Sequence, residues 1–151
     1  MLGLRLGFEG RESSLHQELG RFVAVMKCSP WHANLPMAYF NYVVEPAIRH
    51  RQYKIIYDER GNPLGYFIWA GLADDVHQRM IRGGPWHLHI SEWNEGERYW
   101  IVDFCAPAGY IKDVINLIRG ASVFPAGPIY YRKRRDGQLI VKALFAEEMT
   151  R

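Results

Sequence analysis

The amino-acid sequence predicts a single domain of the α/β (α+β) class, built around one mostly antiparallel sheet flanked by helices. With 151 residues, of which 48% are hydrophobic, the chain is long enough to bury a substantial core. Helix-like and strand-like patterns follow one another in the order helix, helix, strand, strand, helix, strand, helix, strand, strand. Turn signals at residues 58–63 and at Asp136-Gly137 each separate two strand-like runs, which is typical of hairpins.

The N-terminal third is predicted to hold a leader and two helices. Residues 1–11 show no helical or strand period and are predicted to be a loose leader. A first helix begins near Ser14 and ends before Pro30, because the residue before a proline avoids the α region. Residues 29–32 are predicted to form a turn, and a second helix opens at residues 34–36.

The middle of the chain changes from helical to strand patterns. Pro46 is predicted to kink or end the second helix near its last turn. Residues 53–57 and 64–70 are rich in aromatic and β-branched side chains and are predicted to pair as a hairpin. A short helix over residues 74–81 begins with two acids, which suit its dipole, and residues 86–97 are predicted to be irregular.

The C-terminal third centres on a predicted buried strand at residues 99–105. It ends in a turn of small residues at 106–109, and an amphipathic helix over residues 110–119 follows at once. The last hairpin is predicted over residues 129–134 and 138–145. The whole chain, residues 1–151, is therefore expected to be one domain.

Two residues stand out as candidates for chemistry. Asp103 is the one acid in its apolar strand, and a buried carboxylate is costly unless it is paired. It either accepts hydrogen bonds from the following turn or orients a catalytic partner. His32, in Ser29-Pro30-Trp31-His32, titrates near neutral pH and can act as a base, although most lone histidines are structural. Their spacing does not establish that the two side chains meet.

Other clusters favour ordinary structural roles. His87 and His89 have no third ligand at a suitable spacing, so no metal is expected. The basic run Arg132-Lys133-Arg134-Arg135 fits a solvated hairpin tip, or a docking patch for an acidic protein through Arg132, Arg134 and Arg135. The turn at 106–109 offers free N–H groups to an anion or a thioester oxygen. Cys105 ends an apolar strand and is expected to be inert.

Composition excludes several classes of function. A net charge of +3 without a nucleic-acid motif argues against nucleic-acid binding. Cys28 and Cys105 both lie in apolar settings, so two buried thiols are expected rather than a disulfide. No apolar run approaches the ~20 residues needed to span a bilayer, and no signal peptide is recognised. A cytoplasmic location is expected.

Several motifs, in order and spacing, resemble the toxin-activating lysine acyltransferases that acylate RTX protoxins such as haemolysin. The similarity runs from about Phe22 to Phe124. Its earlier parts are Ser29-Pro30-Trp31-His32, Val44-Glu45-Pro46-Ala47-Ile48, Gln52-Tyr53, Gly61-Asn62-Pro63-Leu64-Gly65-Tyr66 and Trp69-Ala70. Its most specific part is Trp93, Gly96, Arg98 and Trp100 leading into Asp103, Ala106-Pro107 and Gly109. Glu97 and Ala108 depart from the residues usual in that family.

The resemblance implies a GNAT-like fold and an enzyme without a bound cofactor. The acyl donor would be a fatty acyl thioester on the phosphopantetheine arm of acyl carrier protein, and the acceptor would be lysine ε-amines of an RTX-type protoxin. A homodimer is also implied. The family's essential histidine and aspartate fall on His32 and Asp103. The surrounding motif residues are expected to bind substrate; they are Ser29, Trp31, Arg98, Ala106 and Gly109.

In the implied reaction, His32 takes a proton from the lysine amine as the amine attacks the thioester, and Asp103 orients the imidazole. A rival version has His32 carry the acyl group itself. Two other classes of function stay open. One is a GNAT-type N-acyltransferase that uses a CoA thioester and a small amine, and the other is a non-catalytic binding module.

Overall fold

The structure, a computed structural model, describes residues 3–7, 14–85, 87–120 and 123–146. Its strands are β1 (Arg5–Gly7), β2 (Tyr53–Tyr57), β3 (Pro63–Leu72), β4 (Arg98–Cys105), β5 (Gly127–Arg135) and β6 (Gln138–Ala146). Its α-helices are α1 (Leu15–Met26), α2 (Pro30–Ala33), α3 (Glu45–His50), α4 (Asp74–Ile81) and α5 (Ile111–Gly120). A π-helix (Phe40–Val44) leads directly into α3, and a 3₁₀-helix (Ile90–Trp93) precedes β4.

The strands form one sheet whose spatial order is the chain order, β1 to β6. Every neighbouring pair is antiparallel except β4 and β5, which run parallel and are joined through α5. β4 and β5 are in register at one pair, Trp100 with Tyr130, so the two strands separate beyond Trp100. The predicted α/β class with a mostly antiparallel sheet is confirmed, and the strand bounds agree with the predictions to within about two residues.

The N-terminal region differs from the prediction. The predicted leader is wrong for Arg5–Gly7, which form the edge strand β1 and pair with β2. Residues 1–2 and 8–11 of that leader lie outside the described residues. Helix α1 begins after Ser14 in a capping box: the Ser14 hydroxyl accepts from the backbone N–H of Gln17, and the Gln17 side chain accepts from the N–H of Ser14.

The disruption predicted at Pro46 takes the form of a π-helix. Proline has no N–H, and its ring would collide with the carbonyl group four residues earlier in a regular helix. The wider π-helix at Phe40–Val44, closed by the bond from the N–H of Glu45 to the carbonyl of Phe40, accommodates Pro46. Helix α3 then continues to His50, so the proline does not end the helix at once.

The sheet buries a hydrophobic cluster on each face. Helices α1, α3 and α4 cover one face, here called the α1 face, and its largest buried side chains are Phe22, Tyr66, Ile55, Ile68, Trp93 and Trp100. Helix α5 covers the other, the α5 face, with Ile56, Phe67, Trp69, Ile101, Ile118 and Ile129. Neighbouring residues of β2 and β3 alternate between the clusters, so both faces of these central strands are buried.

A β-bulge in β4 changes the face on which Asp103 lies. Ile68 of β3 pairs with Asp103, whereas Trp69 pairs with Ile101, so Val102 is the extra residue. Regular alternation would place Ile101 and Asp103 on the same face. The bulge leaves Ile101 on the α5 face and aligns Asp103 with Ile68 on the α1 face.

We expect two Gly→Ala substitutions to change stability in opposite directions. A Cβ atom at Gly71 would lie 2.5 Å from the carbonyl oxygen of Gly96, whose backbone cannot easily move, so Gly71→Ala should lower the free energy of unfolding by about 1–3 kcal/mol. At Gly20, exposed in α1, nothing lies within 4 Å, and Gly20→Ala should raise it by about 0.5–1 kcal/mol. Urea unfolding measures both. A neutral Gly71→Ala would contradict this close approach of strand and loop.

Candidate active site

His32 is held in place by the short helix α2. Ser29 caps this helix and Pro30 occupies its first position, so the turn predicted over residues 29–32 is in fact one helical turn. The Ser29 hydroxyl accepts from the backbone N–H of His32 and lies 2.9 Å from ring atom Nδ1. The imidazole is only 7% exposed, and the largely exposed Trp31 ring packs edge-on against it.

The fold brings His32 and Asp103 together. Nε2 of His32 lies 3.0 Å from Oδ2 of Asp103, although 71 positions separate the two residues in the chain. The bulge at Val102 makes this contact possible, because it turns Asp103 toward the α1 face, from which α2 presents His32. The Asp103 side chain is 15% exposed, so both partners are largely shielded from water.

Two tyrosine hydroxyls lie next to the carboxylate of Asp103. The Tyr39 hydroxyl donates to Oδ2 of Asp103, and it lies 2.7 Å from the Tyr66 hydroxyl. Burial raises the pKa of both phenols, and the negative charge of Asp103 raises them further, so both groups remain protonated donors. Neither tyrosine was predicted from the sequence, because a tyrosine in an apolar helix or strand carries no signal that distinguishes it from other core residues.

The imidazole and the carboxylate form an ion pair at neutral pH. Burial acts to lower the pKa of His32, but the hydrogen bonds and charges of Asp103 and then Cys105 outweigh it and raise the pKa to about 9. His32 therefore rests as an imidazolium, whereas general base catalysis needs the neutral ring.

The two cysteines differ in their surroundings. Cys105, predicted to be inert, is buried beside His32. The prediction that both thiols are buried is wrong for Cys28, which is exposed.

A cavity of about 500 Å³ opens where β4 and β5 separate. Asp103 and Tyr39 lie on its wall, beside the exposed ring of Trp31. Its apolar lining comes from Leu35, Met80, Leu88, Trp100, Ile101, Val102 and Leu139. Lys133 and Arg134 of β5 line the cavity from the opposite side. The arrangement suits a long apolar group whose reactive end lies beside Asp103, the partner of His32, and whose carrier is anionic.

Of the predicted docking residues, Arg132 is not a free cation. Its guanidinium is partly buried and donates to the carbonyls of Met80 and Gly84, at and just beyond the C-terminal end of α4. Burial and then the nearby charge of Arg79 lower its pKa. Arg132 thus joins β5 to α4 across the cavity, while Arg134 and Arg135 are exposed as predicted.

Three predicted substrate-binding residues lie away from the His32–Asp103 pair. Arg98, at the opposite end of β4 from Asp103, is exposed and paired with Asp74. Ala106 packs on the α5 cluster, and the turn that ends at Gly109 leads into α5 on the face opposite to His32. Ser29 and Trp31, in contrast, contact His32 directly.

The two histidines weighed as metal ligands have other surroundings. His89 caps the 3₁₀-helix through Nδ1, which accepts from the N–H of Ser91, and the His87 ring packs against Tyr42. Within residues 3–7, 14–85, 87–120 and 123–146, no group of three or more potential ligands could hold a metal ion. The same part of the chain contains no helix with the length and apolar character needed to cross a bilayer.

The sheet order, the separated parallel pair and the cavity beside a His–Asp pair agree with a GNAT-like acyltransferase fold. Comparison with known proteins gives the family. A sequence model described as the RTX toxin acyltransferase family matches residues 12–142. This chain belongs to the RTX toxin acyltransferase family, and the protein is an acyltransferase.

Individual relatives agree with this assignment. The RTX-II toxin-activating lysine-acyltransferase of Actinobacillus pleuropneumoniae is 31% identical over 125 residues, covering 81% of this chain and 77% of that protein. A protein-lysine myristoyltransferase of Kingella kingae is 34% identical over 92 residues, 61% of this chain and 54% of its own length. A protein-lysine myristoyltransferase of Escherichia coli is 34% identical over 92 residues, covering 60% and 51%.

We expect the raised pKa of His32 to make stability pH-dependent. The pKa of His32 is about 9 in the folded protein and 6.5 in an unfolded chain. The contribution of the ion pair to the free energy of unfolding is therefore complete below pH 6.5 and is lost as the pH rises to 9. The free energy of unfolding, measured in urea, should fall by up to about 3 kcal/mol across this range. His32→Gln should flatten this fall. An equal pH slope in both proteins would contradict the ion pair.

Proposed function

We propose that this protein transfers a fatty acyl chain from acyl carrier protein to lysine ε-amines of an RTX-type protoxin, and thereby activates the toxin. The observation that carries the proposal is that Asp103, bonded to His32, lies on the wall of a largely apolar cavity of about 500 Å³. The names of the relatives, toxin-activating lysine-acyltransferase and protein-lysine myristoyltransferase, support lysine as the acceptor and a fatty acyl chain as the transferred group. A cytoplasmic location and a homodimer stay predictions.

The chemistry begins with deprotonation of the acceptor. A lysine amine has a reference pKa of ~10.4 and attacks only after losing a proton. The ammonium first releases one proton to solvent. Neutral His32 then takes a second proton from the nitrogen as that nitrogen bonds to the thioester carbonyl carbon, and the C–S bond breaks. The proton then passes from His32 to the departing thiolate of the phosphopantetheine arm. Asp103 orients the ring through Nε2 and stabilises its charged form.

The resting ion pair sets a condition on this mechanism. Because the pKa of His32 is about 9, only a minority of molecules carry the neutral ring at pH 7. A cationic lysine that enters the cavity disfavours a second positive charge beside it and so lowers the pKa of His32. We therefore expect substrate binding to favour the base form. Backbone N–H groups on the β4 edge beyond Trp100 are candidates to stabilise the oxyanion.

The carrier would approach the basic side of the cavity. Lys133, Arg134 and Arg135 are exposed near the tip of the β5–β6 hairpin, and the first two line the cavity. Acyl carrier protein is acidic and its arm carries a phosphate, so these cations would guide the donor by charge complementarity. A CoA thioester also carries phosphates, so the donor must be identified by experiment.

The direct test is acyl transfer in vitro. Purified protein, myristoyl-acyl carrier protein and an RTX protoxin should give a protoxin whose mass increases by whole acyl groups. His32→Ala should reduce the rate by at least about 100-fold, and Asp103→Asn should reduce it by a smaller factor. His16→Ala, which removes an exposed histidine on α1, is the matched control and should leave the rate unchanged.

Three outcomes would contradict parts of the proposal. Transfer by His32→Ala at the wild-type rate removes His32 from the chemistry. Transfer from myristoyl-CoA but not from the carrier thioester replaces the donor. Tight protoxin binding without any mass increase indicates a binding module.

Charge reversal tests the docking surface. We expect the double variant Arg134→Glu, Arg135→Glu to weaken binding of acyl carrier protein by about tenfold at low salt, and by less as salt screens the charges. The control is Lys112→Glu, which reverses an exposed charge on α5, at the other face of the sheet. Arg132 is left intact because its bonds to α4 are structural. If calorimetry gives equal affinities for the double variant and the wild type, this surface is not the docking site for acyl carrier protein.

A further inference from the structure

Two side chains from different parts of the chain bond to one carboxylate oxygen of Asp103, and a third side chain bonds to one of them. Oδ2 of Asp103 accepts hydrogen bonds from Nε2 of His32, on α2, and from the hydroxyl of Tyr39, which immediately precedes the π-helix. The Tyr66 hydroxyl, from β3, lies 2.7 Å from that of Tyr39. Tyr39 is 6% exposed and Tyr66 is fully buried, so water does not replace these bonds.

The direction of the hydrogen bonds follows from the number of protons. A phenol has one proton, and Tyr39 donates it to Asp103, because an ionised carboxylate only accepts. The bond between the two tyrosines must then run from Tyr66 to Tyr39. Two donors, His32 and Tyr39, therefore share one carboxylate oxygen, and Tyr66 strengthens the second donor by polarising it.

We propose that Tyr39 and Tyr66 are positioning residues that draw part of the Asp103 charge away from His32 and so let the imidazole release its proton for catalysis. The catalytic part of this inference rests on the proposed function. The hydrogen bond from Tyr39 is strong because it ends on an ionised carboxylate, and it offsets part of the negative charge of Asp103. Removing the Tyr39 hydroxyl should therefore strengthen the attraction between Asp103 and the imidazolium.

The other groups around the pair act differently. Cys105 of β4 and Ser29 of α2 face the imidazole rather than the carboxylate oxygen that Tyr39 contacts. Lys133 and Arg134 of β5 line the same cavity as Asp103 but are exposed, so solvent and salt screen their charge, and Arg132 is bound to carbonyls of the α4 end. Tyr39 is thus the group placed to compete with His32 for Oδ2 itself.

The chain offers a matched control for a purely structural role. The Tyr53 hydroxyl is also bonded to a carboxylate, that of Glu18, at 2.7 Å. Tyr53 belongs to the same hydrophobic cluster and packs on Phe22, which also packs on Tyr66. Tyr53→Phe therefore removes the same chemical group from the same core, without removing a bond to the His32–Asp103 pair.

The test is the NMR titration of the His32 ring in the full chain, with its signal assigned by its loss in His32→Gln. Tyr39→Phe should move the His32 titration upward by about one pH unit. Tyr66→Phe should move it in the same direction by less, because the Tyr66 hydroxyl bonds to Tyr39, whereas the Tyr39 hydroxyl bonds to the oxygen that holds His32. Tyr53→Phe should leave the His32 titration unchanged.

Kinetics give a second readout. In Tyr39→Phe, kcat should fall at pH 7 and recover toward the wild-type value at higher pH, with KM for the protoxin nearly unchanged. A His32 titration in Tyr39→Phe equal to that of wild type, or shifted equally in Tyr53→Phe, would overturn the proposal. If wild type shows no acyl transfer but the titration shifts as expected, the proposed function fails while the control of His32 by the tyrosines stands.

Discussion

A carboxylate that is largely removed from water must have its oxygens hydrogen-bonded, and this requirement on Asp103 organises the site. The bulge at Val102 turns Asp103 away from the α5 face, where no partner of this kind is described, and toward the α1 face. There α2 supplies an imidazole, and Tyr39 supplies a phenol. The capped helical turn and the π-helix are therefore parts of one arrangement, because each positions a donor for the same oxygen.

The same strand also produces the cavity. β4 pairs with β3 along its length but is in register with β5 only at Trp100, so the sheet opens beside Asp103. Arg132 joins β5 to the end of α4 on the far side of this opening, and its partly buried hydrogen bonds to backbone carbonyls hold β5 and α4 together. A charged residue thus has a structural role here, next to exposed cations that are free to meet a partner.

The charge of Asp103 determines whether the His32 ring is protonated, and the mechanism depends on that protonation state. An imidazolium held by a carboxylate is stable, yet a base must be neutral before it takes a proton. In the proposed mechanism, binding of a cationic lysine and competition by Tyr39 for the carboxylate both shift the balance toward the neutral ring. Stability and catalysis therefore make opposite demands on the same hydrogen bond, which is common where ionisable groups are buried at functional sites.

Local patterns in the chain were sufficient for the class of the fold, for most strand and helix bounds, and for His32 and Asp103 as candidates, because periodicity, turn chemistry and motifs are read over short windows. They could not predict that Tyr39 and Tyr66 join this pair or that Arg132 is bound to α4. These contacts link residues far apart in the chain, and those made by Asp103 also depend on a bulge that adds one residue to β4 without altering its hydrophobic character. The face on which Asp103 lies is thus a property of strand pairing, which becomes defined when the sheet assembles.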